Sequence, residues 1–166
     1  MIYAFDTYYY ENSAKTVCIA FNEWSSEKET EIFSENTEIV SDYESGAFYK
    51  RELPCILSLL SKINLQENDI IIVDGFVSLD NEGKMGLGRY LFDALNQKIP
   101  IIGIAKNNYS AADDKRRTIF RGESKTPLFL TAVGIDVDEI KSKVEQMHGL
   151  YRIPTLLKKL DQLTRD

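Results

Sequence analysis

Cysteine and histidine are scarce in this chain. Cys18, Cys55 and His148 are the full complement. The cysteines lack CxxC spacing and the histidine is distant from both, which argues against a zinc site and against a disulfide scaffold. Both cysteines fall inside apolar patterns and read as buried free thiols. Long apolar runs are missing too. The longest, Ile70 to Val73 and Ile99 to Ala105, are far shorter than the ~20 residues that span a bilayer, and no membrane association is expected. The sequence does not open with a basic start and an apolar stretch, so a cytoplasmic location is expected. Positive charge is in deficit, with a net charge of −6, whereas a general nucleic-acid binder is usually basic. Basic residues gather only locally, at Lys115, Arg116, Arg117, Arg121 and Lys125. Such a cluster reads equally as a polyanion contact or as a solvated loop.

What is present fits one globular domain spanning residues 1–166. The length supports a real core but not two ordinary domains. Hydrophobic and charged contents of 43% and 28% are those of a folded soluble chain. No repeat, low-complexity tract or linker interrupts it. Ile2 to Tyr10 is β-branched and aromatic, Val17 to Trp24 reads as a second strand, and Glu31 to Val40 alternates weakly as a third. Short connections make these an antiparallel meander. Apolar residues then take helical spacing from Ala47 to Ile63, where Pro54 either starts the main helix or kinks it. The wholly apolar Ile70 to Val73, ending in Asp74-Gly75, reads as a central parallel strand covered on both faces. A helix over Leu87 to Gln97, a buried strand over Ile99 to Ala105, a strand over Leu128 to Val133, and helices over Val137 to Met147 and Pro154 to Leu163 follow. The fold class expected is α/β: a mixed sheet of meander plus parallel strands, flanked by helices.

Four residues stand out chemically. Asp6 is a carboxylate inside an otherwise apolar strand, costly if buried without a partner. Glu52 lies in the first turn of a helix, where dipole compensation alone would also place it. Asp74 ends a parallel strand, where the sites of open α/β sheets lie, though a plain turn reads the same way. Lys106 ends the next buried strand and can reach into a cleft to stabilise phosphate charge, or simply extend to solvent. Three carboxylates on separate elements suit a hard cation that takes oxygen ligands and keeps its waters. Bound cations would also offset part of the negative charge.

The order of these residues resembles the endonuclease V family. The motifs are Phe5-Asp6-Thr7-Tyr8, Tyr43-Glu44-Ser45-Gly46 with Arg51-Glu52-Leu53-Pro54, Val73-Asp74-Gly75, Gly86-Leu87-Gly88-Arg89-Tyr90-Leu91, Gly103-Ile104-Ala105-Lys106, Pro127-Leu128-Phe129-Leu130 and Tyr151-Arg152-Ile153-Pro154. The likeness runs from about residue 2 to 161. It implies a ribonuclease H-like fold, with Asp6, Glu52 and Asp74 as metal-binding carboxylates for Mg2+ or Mn2+. Lys106 would be the catalytic lysine and Tyr43 a wedge filling the space of an extruded base. Gly46, Gly75, Val77 and Arg121 join Tyr43 as expected substrate contacts. The activity implied is hydrolysis of a phosphodiester 3′ to a deaminated base, chiefly inosine, in DNA or RNA, with a place in DNA repair. Recognition would take the base out of the stack.

Departures from the family pattern bear on specificity. Val77 stands where the family carries a small glycine lining the base pocket, and so narrows it. Gly134-Ile135 replaces a Gly-His turn and removes a histidine, for which Asp136 or Asp80 offers a carboxylate instead. Two other readings stay open at this point. One is a degenerate relative that binds nucleic acid without cutting. The other is a reused fold with no nucleic-acid role.

Overall fold

The computed structural model describes residues 1–38 and 49–166. Tyr43, Gly46 and the end of the expected third strand lie outside the described residues. Strand β1 (Ile2–Tyr9) pairs antiparallel with β2 (Ser13–Phe21), and β2 pairs antiparallel with β3 (Glu31–Glu38). The expected meander is therefore present. Its second strand begins at Ser13 rather than Val17, because alternating polar and apolar pairs such as Tyr8 with Lys15 continue the ladder to the hairpin turn. There the Tyr10 amide donates to the Ser13 carbonyl at 2.8 Å. Asn22 to Trp24 leave the strand. β3 is a sheet edge carrying Glu31, Glu35 and Glu38, and charge of this kind discourages edge-to-edge pairing.

The centre is parallel. β4 (Ile70–Asp74) runs alongside β1 on one side and β5 (Ile101–Ala105) on the other. Beyond β5, β7 (Leu128–Val133) pairs antiparallel with it, and the short β6 (Arg117–Ile119) pairs antiparallel with β7. The order is β3-β2-β1-β4-β5-β7-β6. β6 is the strand the sequence reading missed, because it spans part of the basic cluster.

Two apolar layers sandwich the sheet, one on each face, as alternation along each strand demands. Tyr3, Phe5, Ile71, Val73 and Ile101 pack under α1 (Tyr49–Leu60) and α2 (Leu87–Ala94). Ile2, Ala4, Ile72, Ile102 and Ile104 pack under α3 (Val137–Glu145) and α4 (Thr155–Arg165). Pro54 lies inside α1 rather than at its start. So near the N-terminus it removes one helical hydrogen bond, at its own missing N–H. Among the described residues no helix is long and apolar enough to cross a membrane.

Candidate active site

Strand parity assembles the site. Ala4 pairs with Ile72 and Phe5 with Val73, so Asp6 and Asp74 follow side by side on the α4 face. Asp74 pairs with Ile104, whose side chain lies on that same face, and Lys106 falls two residues further on. Asp6, Asp74 and Lys106 therefore converge at the carboxyl edge of the parallel strands. α4 crosses β1 and β2 above them and adds a carboxylate that sequence reasoning did not single out. Asp161 Oδ1 lies 3.8 Å from Lys106 Nζ and 3.5 Å from Arg165 Nη2. The four side chains line one small cleft of about 40 Å³, floored by Ile72, Ile104 and Leu160. That is room for a few water-sized groups. Glu52 approaches from α1, buried, with the Tyr9 ring nearby under the Arg51 guanidinium.

The electrostatics record the crowding. Burial, then the charges of Asp74 and Asp161, push the Asp6 carboxyl up to about 7, against the pull of the Thr7 amide and Lys106. Burial pushes Glu52 up to about 8, with the Tyr9 hydroxyl pulling against it and the Asp6 charge adding to the rise. Asp74 reaches solvent at the strand end. The protein packed around its carboxyl nevertheless raises its pKa, Lys106 opposes this, and Asp161 adds to it. Carboxylates brought this close favour protonation or a bound positive ion. Among the described residues no three His, Cys, Asp or Glu side chains already form a ligating cluster. The donor set is all-oxygen, mutually repelling and roofed by a helix, which fits Mg2+ or Mn2+ better than a softer metal.

A second, larger cleft of about 380 Å³ opens beside Asp74 and Lys106. Phe76, Tyr109 and Tyr49 supply aromatic walls, and Gly75, Gly86 and Asn107 border it. Gly75 has φ of 142°, a conformation that suits glycine, and it turns the chain away from β4 to form the cleft floor. Arg116 fixes the far wall. Its guanidinium donates to Asn108 Oδ1 and to the carbonyls of Tyr109, Ala111 and Leu79, and lies 5.2 Å from the Phe76 ring centre.

Several expected contacts are redirected. Val77 turns into the core under α2, its amide donating to Thr131 Oγ1 at 2.8 Å, so the cleft wall is made by its neighbours Gly75 and Phe76. Arg121 is buried and donates to the carbonyls of Val144, Glu145, Met147, Gly149 and Tyr151. A guanidinium so engaged at the end of α3 is not free for substrate, and the expected contact from Arg121 is corrected to an internal one. Asp136 caps α3 through the Asp138 amide, and Asp80 accepts the Glu82 and Lys84 amides in a turn. Asp161, rather than either, is the added carboxylate at the site.

The family model for endonuclease V matches residues 1–145. The chain belongs to the endonuclease V family. The catalytic domain of human endonuclease V matches 99% of this chain and 80% of its own length, at 18% identity and a TM-score of 0.75. Ciona intestinalis endonuclease V, in complex with a 24mer DNA containing an inosine followed by a ribo-adenosine, matches at 15% identity and a TM-score of 0.76, over 99% of this chain and 84% of that one. Bacillus subtilis endonuclease V matches at 19% and 0.68, over 99% and 78%. At such identities these structures bear on the fold, which is the ribonuclease H-like mixed sheet expected. No curated protein matches the sequence. The family model stops at residue 145, short of Asp161, so the helix roofing the carboxylates lies outside the matched span.

Proposed function

We propose that this endonuclease V relative is a metal-dependent nuclease that hydrolyses a phosphodiester 3′ to a deaminated, inosine-like base in DNA or RNA. The observation that carries the reading is the convergence of Asp6, Asp74, Asp161 and Lys106 beside an open aromatic cleft. Asp6, Glu52 and Asp74 would hold Mg2+ or Mn2+, with Asp161 from the roofing helix as a further ligand. When bound, the cation supplies Lewis acidity and neutralises charge on the phosphodiester. Lys106 sits between both clefts and stabilises the charge that develops on the phosphate. The base leaves the stack and enters the cleft of Phe76, Tyr109 and Tyr49, where apolar rings hold its faces. Tyr43 and Gly46 are proposed as the wedge that fills the vacated space. Gly75 keeps the cleft floor low enough for a base to approach.

The test is cleavage of matched inosine-containing and undamaged strands, as DNA and as RNA, with manganese added and an Asp74→Ala control. Metal-dependent nicking near inosine, abolished in the control, is expected. Silence on every such strand would overturn the proposal. A second reading, binding without cutting, draws on Ile135 following Gly134 where the family carries a histidine, and on Val77 where it carries a glycine. Tight, salt-sensitive binding with no turnover would favour it.

A further inference from the structure

Lys106 lines not only the carboxylate cleft and the aromatic cleft but a third one, of about 260 Å³. That cleft runs past Asp161 and Lys158 to Tyr151. A fourth, of about 690 Å³, begins at Tyr151 and continues to Gly122 and Ser124. The clefts therefore form one track: aromatic cleft, Lys106, then Tyr151. Two of the most exposed apolar side chains among the described residues, Leu150 and Tyr151, line it. Leu150 is 82% exposed, Tyr151 75% and Phe120 57%, whereas other large apolar side chains stay at 44% or below.

Tyr151 is exposed but its backbone is anchored. The Arg121 Nε donates to the Tyr151 carbonyl at 3.2 Å. The neighbouring Arg152 donates to the Lys106 and Pro127 carbonyls, which ties this segment directly to the catalytic strand end. An aromatic ring held open to solvent on a braced backbone is a stacking platform formed before its ligand arrives. Lys158, one turn into α4, is exposed and makes no ion pair among the described residues, so it is available to a phosphate. Lys106 and Arg152 line the same cleft, and such a gathering of cations beside a solvent-facing ring, in a chain of net charge −6, is a local feature suited to a nucleotide.

We infer that the Tyr151 cleft is a downstream subsite, seating a single-stranded nucleotide on the 3′ side of the scissile bond, its base stacked on Tyr151 and its phosphate at Lys158. This rests on the nuclease reading above, because the aromatic cleft and Lys106 fix which side is downstream. Stacking on aromatic side chains tolerates any base, so the subsite adds affinity without sequence preference. Arg121 serves here as a positioning residue, which explains why a buried arginine lies so near the site without facing it.

The test uses the full chain carrying Asp74→Asn, which silences cutting and removes a charge that would repel phosphate. Fluorescence anisotropy compares oligonucleotides that end at the inosine with ones that continue five nucleotides beyond it on the 3′ side, with 5′ extensions as controls. Adding Tyr151→Ala should weaken the 3′-extended strand about tenfold and leave the short strand unchanged. Tyr151→Phe should retain affinity, and Lys158→Gln should flatten the salt dependence of the extended strand. A 2-aminopurine placed in the extension should be quenched by the parent and by Tyr151→Phe but not by Tyr151→Ala. Equal affinity and equal fluorescence with and without the ring would overturn the inference while leaving the nuclease reading intact. Failure to bind any strand would overturn both.

Discussion

Asp74 and Lys106 are adjacent strand ends that face the same way, and substituting them tests chemistry with little effect on packing. On the proposed metal role, Asp74→Ala is expected to lower cleavage by more than about a thousand-fold, since a cation held there would supply several kcal/mol of transition-state stabilisation. Thermal stability should hold or rise, because a repelling charge is gone. Asp161→Ala tests the roofing carboxylate in a different way. Its charge helps raise Asp6 to about 7, so removing it should lower the pH at which Asp6 ionises in the metal-free protein. NMR titration of the Asp6 side chain would read this directly, and an unchanged titration would remove Asp161 from the site. Asp6, Asp74 and Lys106 stand out in the sequence as charges in an apolar strand or at a strand end, whereas Glu52, in the first turn of a helix, reads equally as dipole compensation. Asp161 was hidden inside a segment reading Leu156-Leu157-Lys158-Lys159-Leu160-Asp161, where an aspartate looks like solvent face. A signal was present: Asp161 falls four residues after Leu157 and three before the buried Thr164, on the apolar stripe.

At the level of elements, the close approach of β5 to the turn after β4 sets the aromatic cleft. A methyl group on Gly103 would stand 2.5 Å from the Gly75 carbonyl oxygen and 2.8 Å from Thr131 Oγ1. Gly103→Ala should therefore cost about 1–3 kcal/mol and displace the turn that floors the cleft. Denaturant melts and inosine binding would both register the change. Arg121→Met should cost on the order of 3 kcal/mol, since it strands the buried carbonyls at the end of α3. Arg121→Lys should rescue little, because one ammonium cannot reach five acceptors. The central strands were readable because β4 and β5 are almost wholly apolar, as strands covered on both faces must be. β6 was not. Three residues with only Ile119 buried carry too short a pattern, and the flanking basic residues read as loop. Arg121 was misread for the same reason: clustering along the sequence says nothing about which guanidinium points inward.

For the whole molecule, the carboxylates make stability depend on pH in an unusual direction. Asp6 and Glu52 hold protons in the folded state up to about pH 7 and 8, whereas the unfolded chain releases them near 4. Between those limits the native state binds more protons than the unfolded state, so stability falls as pH rises. In EDTA the melting temperature should drop from pH 5 to 8.5, and Asp6→Asn should flatten that slope. Manganese at about a hundred times its dissociation constant should restore roughly 5–10 °C at the alkaline end. A flat profile in EDTA would mean that these groups are ionised at no cost.

The roofing helix α4 is fastened at its far end by two bonds, from the Tyr10 hydroxyl to the Thr164 carbonyl at 3.0 Å and from Lys15 Nζ to the Asp166 carbonyl at 3.0 Å. Both acceptors belong to the main chain. The latch is therefore blind to which side chains occupy those last positions and sensitive only to their being there. A change of side chain at 166 should pass unnoticed, whereas clipping the chain before Thr164 would let the roof swing, remove the Arg165 partner of Asp161 and carry Asp161 away from its neighbours.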